Sequence, residues 1–361
     1  PLPFDFTRAS SATVVNKDGL IEIVGSGKPR IDFSNDAKGA LLLEPTRNNY
    51  YSYSEPTVNE SSAGGISYES FFWGLGFTNC IKFGDNSTTR YRYGGIVSAY
   101  TEYTLSVFVI MDDLSEPIIG GQASGNDFAF VLGGTVFFND NSNIYMGNNI
   151  WRVSVTGTTA TGLTNNGIVK YTTQSSKGFR VVGLQLEQGS YATSYIPTSG
   201  SAVTRVAETC SGAGNSEVFN DSEGVFYAEL SIDANDGNFR FLSISDGTNL
   251  NSVWIYYRSD TNQINFRVIV GGVSSFDDIY TINNATINHK LAIKYKTNDF
   301  SAYVNGVEVL TDNSGATFSS NVLNDLNFNR PDGINNFYGN VKDVRVYNTA
   351  LTDAELITLT T

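Results

Sequence analysis

The chain has 361 residues, 40% hydrophobic, 13% aromatic and only 16% charged, with 35 glycines and a formal net charge of −13. That length is long for one core and comfortable for two. The acidic balance speaks against nucleic acid, whose affinity comes from Lys and Arg releasing counterions, and against docking on anionic lipid. No run of about eighteen apolar residues is present, so membrane insertion is not expected. No charged-then-apolar leader is present either, and the start on Pro1 reads as a piece of a longer chain. The two cysteines, Cys80 and Cys210, fall far apart and read as free, partly buried thiols.

Taken in order, the chain is punctuated like an all-β protein. Ala12-Val15 and Leu20-Val24 flank a turn ending on Gly19, and Ala40-Glu44 is a short apolar strand. Strands are expected at 79–84 and 89–93. In Tyr103-Met111, Tyr103, Leu105, Val107 and Val109 point one way, and Thr104 and Ser106 the other. Phe128-Leu132 and Thr135-Phe138 form a hairpin across Gly133-Gly134. Trp151-Thr156 alternates again, Ile168-Thr172 follows, and 178–187 closes the sheet. Roughly eight antiparallel strands of this kind predict a jelly roll.

Residues 205–218 are polar and Gly-rich, which places a boundary near 206 between a first unit, 1–206, and a second, 207–361. The second unit runs in short strands at 224–232, 239–245, 252–258, 263–270, 289–296, 300–305 and 307–310, with Leu323-Asn329 and Asn340-Tyr347 completing a sandwich. Asn305-Gly306 is its strongest hairpin signal. One helix ends the chain: Thr352 and Glu355 form a capping box, Leu351 and Leu356 a hydrophobic staple, and the helix is expected to pack on a sandwich edge. The fold class is therefore all-β, two antiparallel β-sandwiches with one short C-terminal helix.

Three stretches carry a family resemblance. FDFTRASSATVVNKDGLIEIVGSGKPRIDF with GALLLEPTRNNYYSYSE at the start, and QLEQGSYATSYIPTSGSAVTR in the middle, resemble segments of bacteriophage tail-fibre and head-fibre proteins, where they frame a jelly roll similar to a carbohydrate-binding module. LAIKYKTNDFSAYVNGVEV and FYGNVKDVRVYNTALTDAELITL resemble laminin-G and concanavalin A-like lectin domains. The resemblance implies a jelly roll followed by a concanavalin A-like sandwich, a place on a virion, action outside the cell, and trimerisation within a fibre. It implies no required cofactor, although both module types often carry a structural Ca²⁺. Asp85-Asn86, Asn139-Asp140-Asn141 and Asp332-Gly333-Ile334-Asn335 offer hard oxygen ligands, but Asn/Asp-Gly loops are also ordinary turns, so no ligand is assigned.

Catalytic signals are thin. His289 is the only histidine and stands at a predicted strand start with no nucleophile motif beside it. A glycosidase needs two carboxylates about 5–10 Å apart. The closest approach to the lectin-fold glycanase pattern, Glu229 and Asp233 around Leu230-Ser231-Ile232, is incomplete.

Sugar binding asks for aromatic faces and planar polar groups. Arg90-Tyr91-Arg92-Tyr93 alternates, so Arg90 and Arg92 share one face and Tyr91 and Tyr93 the other. An open arginine face would suit a carboxylated or sulfated glycan; the competing reading puts the tyrosines in the core and the arginines on a solvated rim. The analogous group in the second unit is Arg240 with Trp254, Tyr256 and Arg258, the last three sharing one strand face, with core packing as the competing reading. Trp151 leads a core-facing strand and is left out of the site, and Trp73 is read as core. The expected function is recognition of bacterial surface polysaccharide during phage adsorption, without bond cleavage. The rivals are a structural spacer of the virion and a polysaccharide-depolymerising enzyme or a module attached to one.

Overall fold

The computed structural model describes residues 4–56, 66–70, 74–137, 141–160 and 165–361. Trp73, Phe138 and the Asn139-Asp140 part of one acidic loop lie outside them. The described chain is built almost wholly from antiparallel strands, as the turn spacing predicts, and it forms two β-sandwiches.

In the first sandwich a six-stranded sheet runs Asn141–Tyr145, Trp151–Thr158, Glu102–Met111, Phe179–Gln188, Asn79–Phe83, Ser67–Ser70. It faces a four-stranded sheet of Thr135–Phe137, Ala129–Leu132, Gly167–Lys170 and Arg90–Tyr93. Their inner faces meet in one core, where Leu105, Val107, Val153 and Leu184 lie against Phe128, Phe130 and Ile168. The outer face of the six-stranded sheet is closed too. Thr104 and Ser106, on the opposite face of their strand from Leu105 and Val107, are buried. Thr104 Oγ1 donates to Gly189 O at 2.8 Å, and Phe108 packs against Phe77 and Tyr195. Segment 189–198 therefore covers that face, while on the outer face of the four-stranded sheet the partly buried rings of Tyr91, Tyr93 and Tyr171 are the outermost layer among the described residues.

The second sandwich packs a seven-stranded sheet on a five-stranded one. The seven-stranded order is Val307–Asp312, Phe300–Val304, His289–Lys296, Glu223–Ile232, Gly339–Tyr347, Ala40–Leu43, Arg30–Asp32. The last two strands come from the start of the chain: Leu43 pairs with Gly339 and Leu41 with Val341. The lead-in is thus not confined to the first sandwich. The apolar run ALLL needs a buried edge, and Leu43 finds one in the second core.

The stretch near 206, expected to be a polar linker, holds a buried charge network. Glu208 accepts from Arg8 Nη1 at 2.9 Å and from Arg30 Nε at 2.6 Å, and Glu44 pairs with Arg30 and Arg205 at 2.7 and 2.8 Å. Burial alone would raise the Glu44 carboxyl, but Arg205 and then Arg30 hold it down at about 2. Five side chains remote in sequence are locked together here, joining lead-in to exit. The terminal helix, Asp353–Thr360, has the capping box. Leu356 packs with Val225, Tyr227, Ala292 and Tyr303, which alternate with core residues, so the helix lies on the outer face of the seven-stranded sheet rather than on an edge.

Candidate functional site

The outer face of the four-stranded sheet is aromatic. Strand Arg90–Tyr93 is the edge strand of the four-stranded sheet and pairs Tyr91 with Val169 and Tyr93 with Gly167. Phe128, Phe130, Leu132 and Ile168 point to the core, so alternation turns Ala129, Val131, Val169, Tyr91 and Tyr93 outward. Tyr91 and Tyr93 stack with ring centroids 4.6 Å apart and planes 21° apart. Tyr171 extends the same face by strand alternation and joins the same apolar cluster. Burial pushes the Tyr93 hydroxyl up to about 12, with Tyr171 and then Tyr91 adding to the shift. All three rings are partly buried and reach solvent at their rims.

This reverses the expected polarity of the strand. Arg92 is buried at 6% exposure, and its Nη1 donates to Tyr93 O at 3.0 Å. An open strip shared by Arg90 and Arg92 does not exist, because the Arg92 face looks into the sandwich; the Arg90 side chain lies outside the description. Alternation separated tyrosines from arginines correctly, but it cannot say which set faces in.

The second group does not form an open platform. Trp254, Tyr256 and Arg258 do share a face, while Ile255 and Tyr257 lie in the core. Yet Trp254 and Tyr256 are only 5% and 6% exposed. Tyr256 stacks on Phe241 at 4.2 Å, Phe241 meets Trp254 edge-on at 5.4 Å, and Arg267 sits 5.3 Å from the Trp254 ring centre. The rings are spent on one another. Arg258 pairs with Asp260 at 3.3 Å, and its Nη1 and the Tyr256 hydroxyl share Asn265 Oδ1. Arg240 is on the opposite strand face, buried and bonded to Asp236 Oδ2 at 2.8 Å, so the structure separates it from the other three.

A third place was not read from the sequence. At the seam between the sandwiches, two adjoining hollows of 480 and 310 Å³ share Arg47, Asp236 and Asn238 in their walls. The first wall also carries Tyr50 and Glu102, the second Phe239 and Tyr338. The only sequence hint was the EPTRNN motif, which holds Arg47. Nearby, burial pushes the Asp233 carboxyl up to about 8, with Glu44 adding to it, and its Oδ2 finds no hydrogen-bond partner.

No catalytic constellation accompanies these faces among the described residues. His289 is buried at the start of its strand; its Nε2 lies 2.7 Å from Asn284 O and its Nδ1 accepts from Asn305 Nδ2 at 2.9 Å, so one ring nitrogen is engaged by a backbone carbonyl and the other by a side-chain amide. Glu229 accepts from Asn288 Nδ2 at 2.9 Å. In two of the acidic loops the polar side chains are engaged by the protein itself: both Asp332 oxygens accept from Arg330, and Asn86 turns its amide donor onto two carbonyls. No group of three or more His, Cys, Asp or Glu side chains gathers among the described residues. No helix there is long and apolar enough to cross a membrane.

Residues 213–357 match the model of the concanavalin A-like lectin/glucanases superfamily. The second sandwich is concanavalin A-like. No curated protein matches the chain. Among solved structures, the carbohydrate-binding module of the Ruminococcus gnavus IT-sialidase bound to α2,3 sialyllactose is 17% identical, covers 42% of this chain and 94% of its own, and gives a TM-score of 0.35. A pentraxin from Limulus polyphemus is 14% identical over 42% of this chain and 74% of its own, with a TM-score of 0.33. Domain 4 of an extracellular arabinanase from Geobacillus stearothermophilus, in complex with arabinotriose, is 14% identical over 48% and 82%, with a TM-score of 0.34.

Proposed function

We propose that this chain is a glycan-binding protein that holds polysaccharide without cleaving it. The observation that carries this is the Tyr91–Tyr93 pair on the outer face of the four-stranded sheet. Stacked phenol rings offer apolar area to pyranose C–H faces and donors and acceptors to sugar hydroxyls. A jelly roll leading into a concanavalin A-like domain suits that role, though fold alone does not specify it.

The phage-like signatures at both ends of the first sandwich support a finer reading. The chain belongs to a tail or head fibre, acts on the virion outside the host, and grips bacterial surface polysaccharide during adsorption. Assembly as a homotrimer would multiply weak sites through effective concentration. This reading requires no cofactor, and a structural Ca²⁺ is compatible with it. A spacer role is the second reading, and the self-packed Trp254 and Tyr256 favour it for the second sandwich.

The test is labelled host polysaccharide run over a sizing column with and without the protein. Earlier elution of the glycan supports binding. Unchanged elution across a panel of host glycans supports the spacer reading, and later elution supports depolymerisation.

A further inference from the structure

We infer that the seam between the sandwiches is a second sugar subsite, built for a sugar carrying a carboxylate, with Arg47 as its anchor. The inference rests on the glycan-binding reading and extends it to a separate surface.

Arg47 is set in place by its neighbours. Its guanidinium lies over the Tyr191 ring, 5.1 Å from the centre. Gly189 makes room on another side: a Cβ there would stand 2.9 Å from Arg47 Nη2, on backbone at φ +136°. Arg47 makes one side-chain hydrogen bond, Nη1 to Thr46 O at 3.3 Å, and no ion pair among the described residues. Nε is buried without a partner, so the donors left over are at the Nη edge.

The neighbouring charges do not compete for that edge. Asp236 is taken by Arg240 at 2.8 Å; burial would raise its carboxyl, but Arg240 keeps it below the usual range and ionised. Asp233 is held protonated near neutral pH by burial. Glu102, on the wall of the larger hollow, is exposed and placed to accept sugar hydroxyls. Tyr50 and Tyr338 flank the two hollows and Asn238 stands in both. A guanidinium with a free planar edge, amides and aromatic walls match a uronic acid residue: the fork takes the carboxylate, the amides take hydroxyls. The combined hollows suit an internal or terminal unit of an acidic polysaccharide bridging both sandwiches.

The experiment is calorimetric titration of the full chain with oligogalacturonate and with a neutral oligosaccharide of equal length. Arg47→Ala is expected to weaken oligogalacturonate binding at least tenfold and to flatten its salt dependence. Arg47→Lys, which keeps the charge but lacks the fork, should recover only part of it. Neutral-glycan binding and thermal stability should hold in both variants. If oligogalacturonate does not bind, or binds Arg47→Ala unchanged, the inference is overturned. If Tyr91→Ala with Tyr93→Ala removes neutral-glycan binding in that case, the tyrosine-face reading still stands.

Discussion

Glu208→Gln is the sharpest test of how the lead-in is held. Both Glu208 and Arg8 side chains are 0% exposed. The carboxylate accepts from Arg8 Nη1 at 2.9 Å, from Arg30 Nε and Nη2 at 2.6 and 2.7 Å, and from Glu44 N at 2.8 Å. An amide keeps one acceptor, turns its own donor toward a guanidinium, and removes the charge that two buried arginines share. Breaking a buried pair from one side costs about 3–5 kcal/mol, because the partner charge stays buried. For a domain of this size that is roughly 6–20 °C in Tm. Scanning calorimetry of wild type and variant reads it, with Lys177→Ala as control. That variant removes the exposed Lys177–Asp113 pair and should cost less than about 1 kcal/mol. A Glu208→Gln loss as small as the control would refute the view that this network fastens the N-terminal strands.

Further outcomes follow from other places in the fold. The Asp233 carboxyl is raised in the folded state, so its contribution to stability is present at low pH and is lost as pH climbs toward about 8. Asp233→Asn should therefore flatten the stretch of a Tm–pH curve between about pH 4 and pH 8, and an unchanged slope there would count against a buried acid. Glu44, depressed to about 2, has the opposite sign: its contribution is present above the usual carboxylate range and is lost as pH falls from about 4.5 toward 2, so Glu44→Gln should blunt acid unfolding. Gly167→Ala places a Cβ 2.0 Å from Arg92 O on backbone at φ +152°, so it should destabilise by more than about 1 kcal/mol and disturb the tyrosine face. Leu356→Ala should cost about 2–5 kcal/mol in chemical denaturation, because Leu356 is fully buried beneath the helix.

Local patterns carried the fold well. The capping box at Thr352 and Glu355 forms as written, and Asn305-Gly306 turns with both φ values positive, at 50° and 81°. Period-2 alternation found most strands and separated Tyr91 and Tyr93 from Arg92. What alternation lacks is the sign of a face, since either set of residues satisfies the same pleat. Arg92 went inside because a carbonyl accepts it there, and that partner depends on backbone geometry. Alternation put Thr104 and Ser106 on the outer face but could not show that segment 189–198 covers them. The Arg8, Arg30, Glu44, Arg205 and Glu208 cluster had no local signature at all, since its members meet only after strands from the two ends of the chain pair. The seam around Arg47 was hidden for the same reason.

The central claim is that Tyr91 and Tyr93 hold sugar. The most direct measurement is calorimetric titration of host-surface polysaccharide into the wild type and into Tyr91→Ala with Tyr93→Ala. Losing the stacked pair should reduce affinity by at least tenfold, with the melting temperature of the second sandwich unchanged. Equal affinity in a folded double variant would contradict the account and move the binding surface elsewhere.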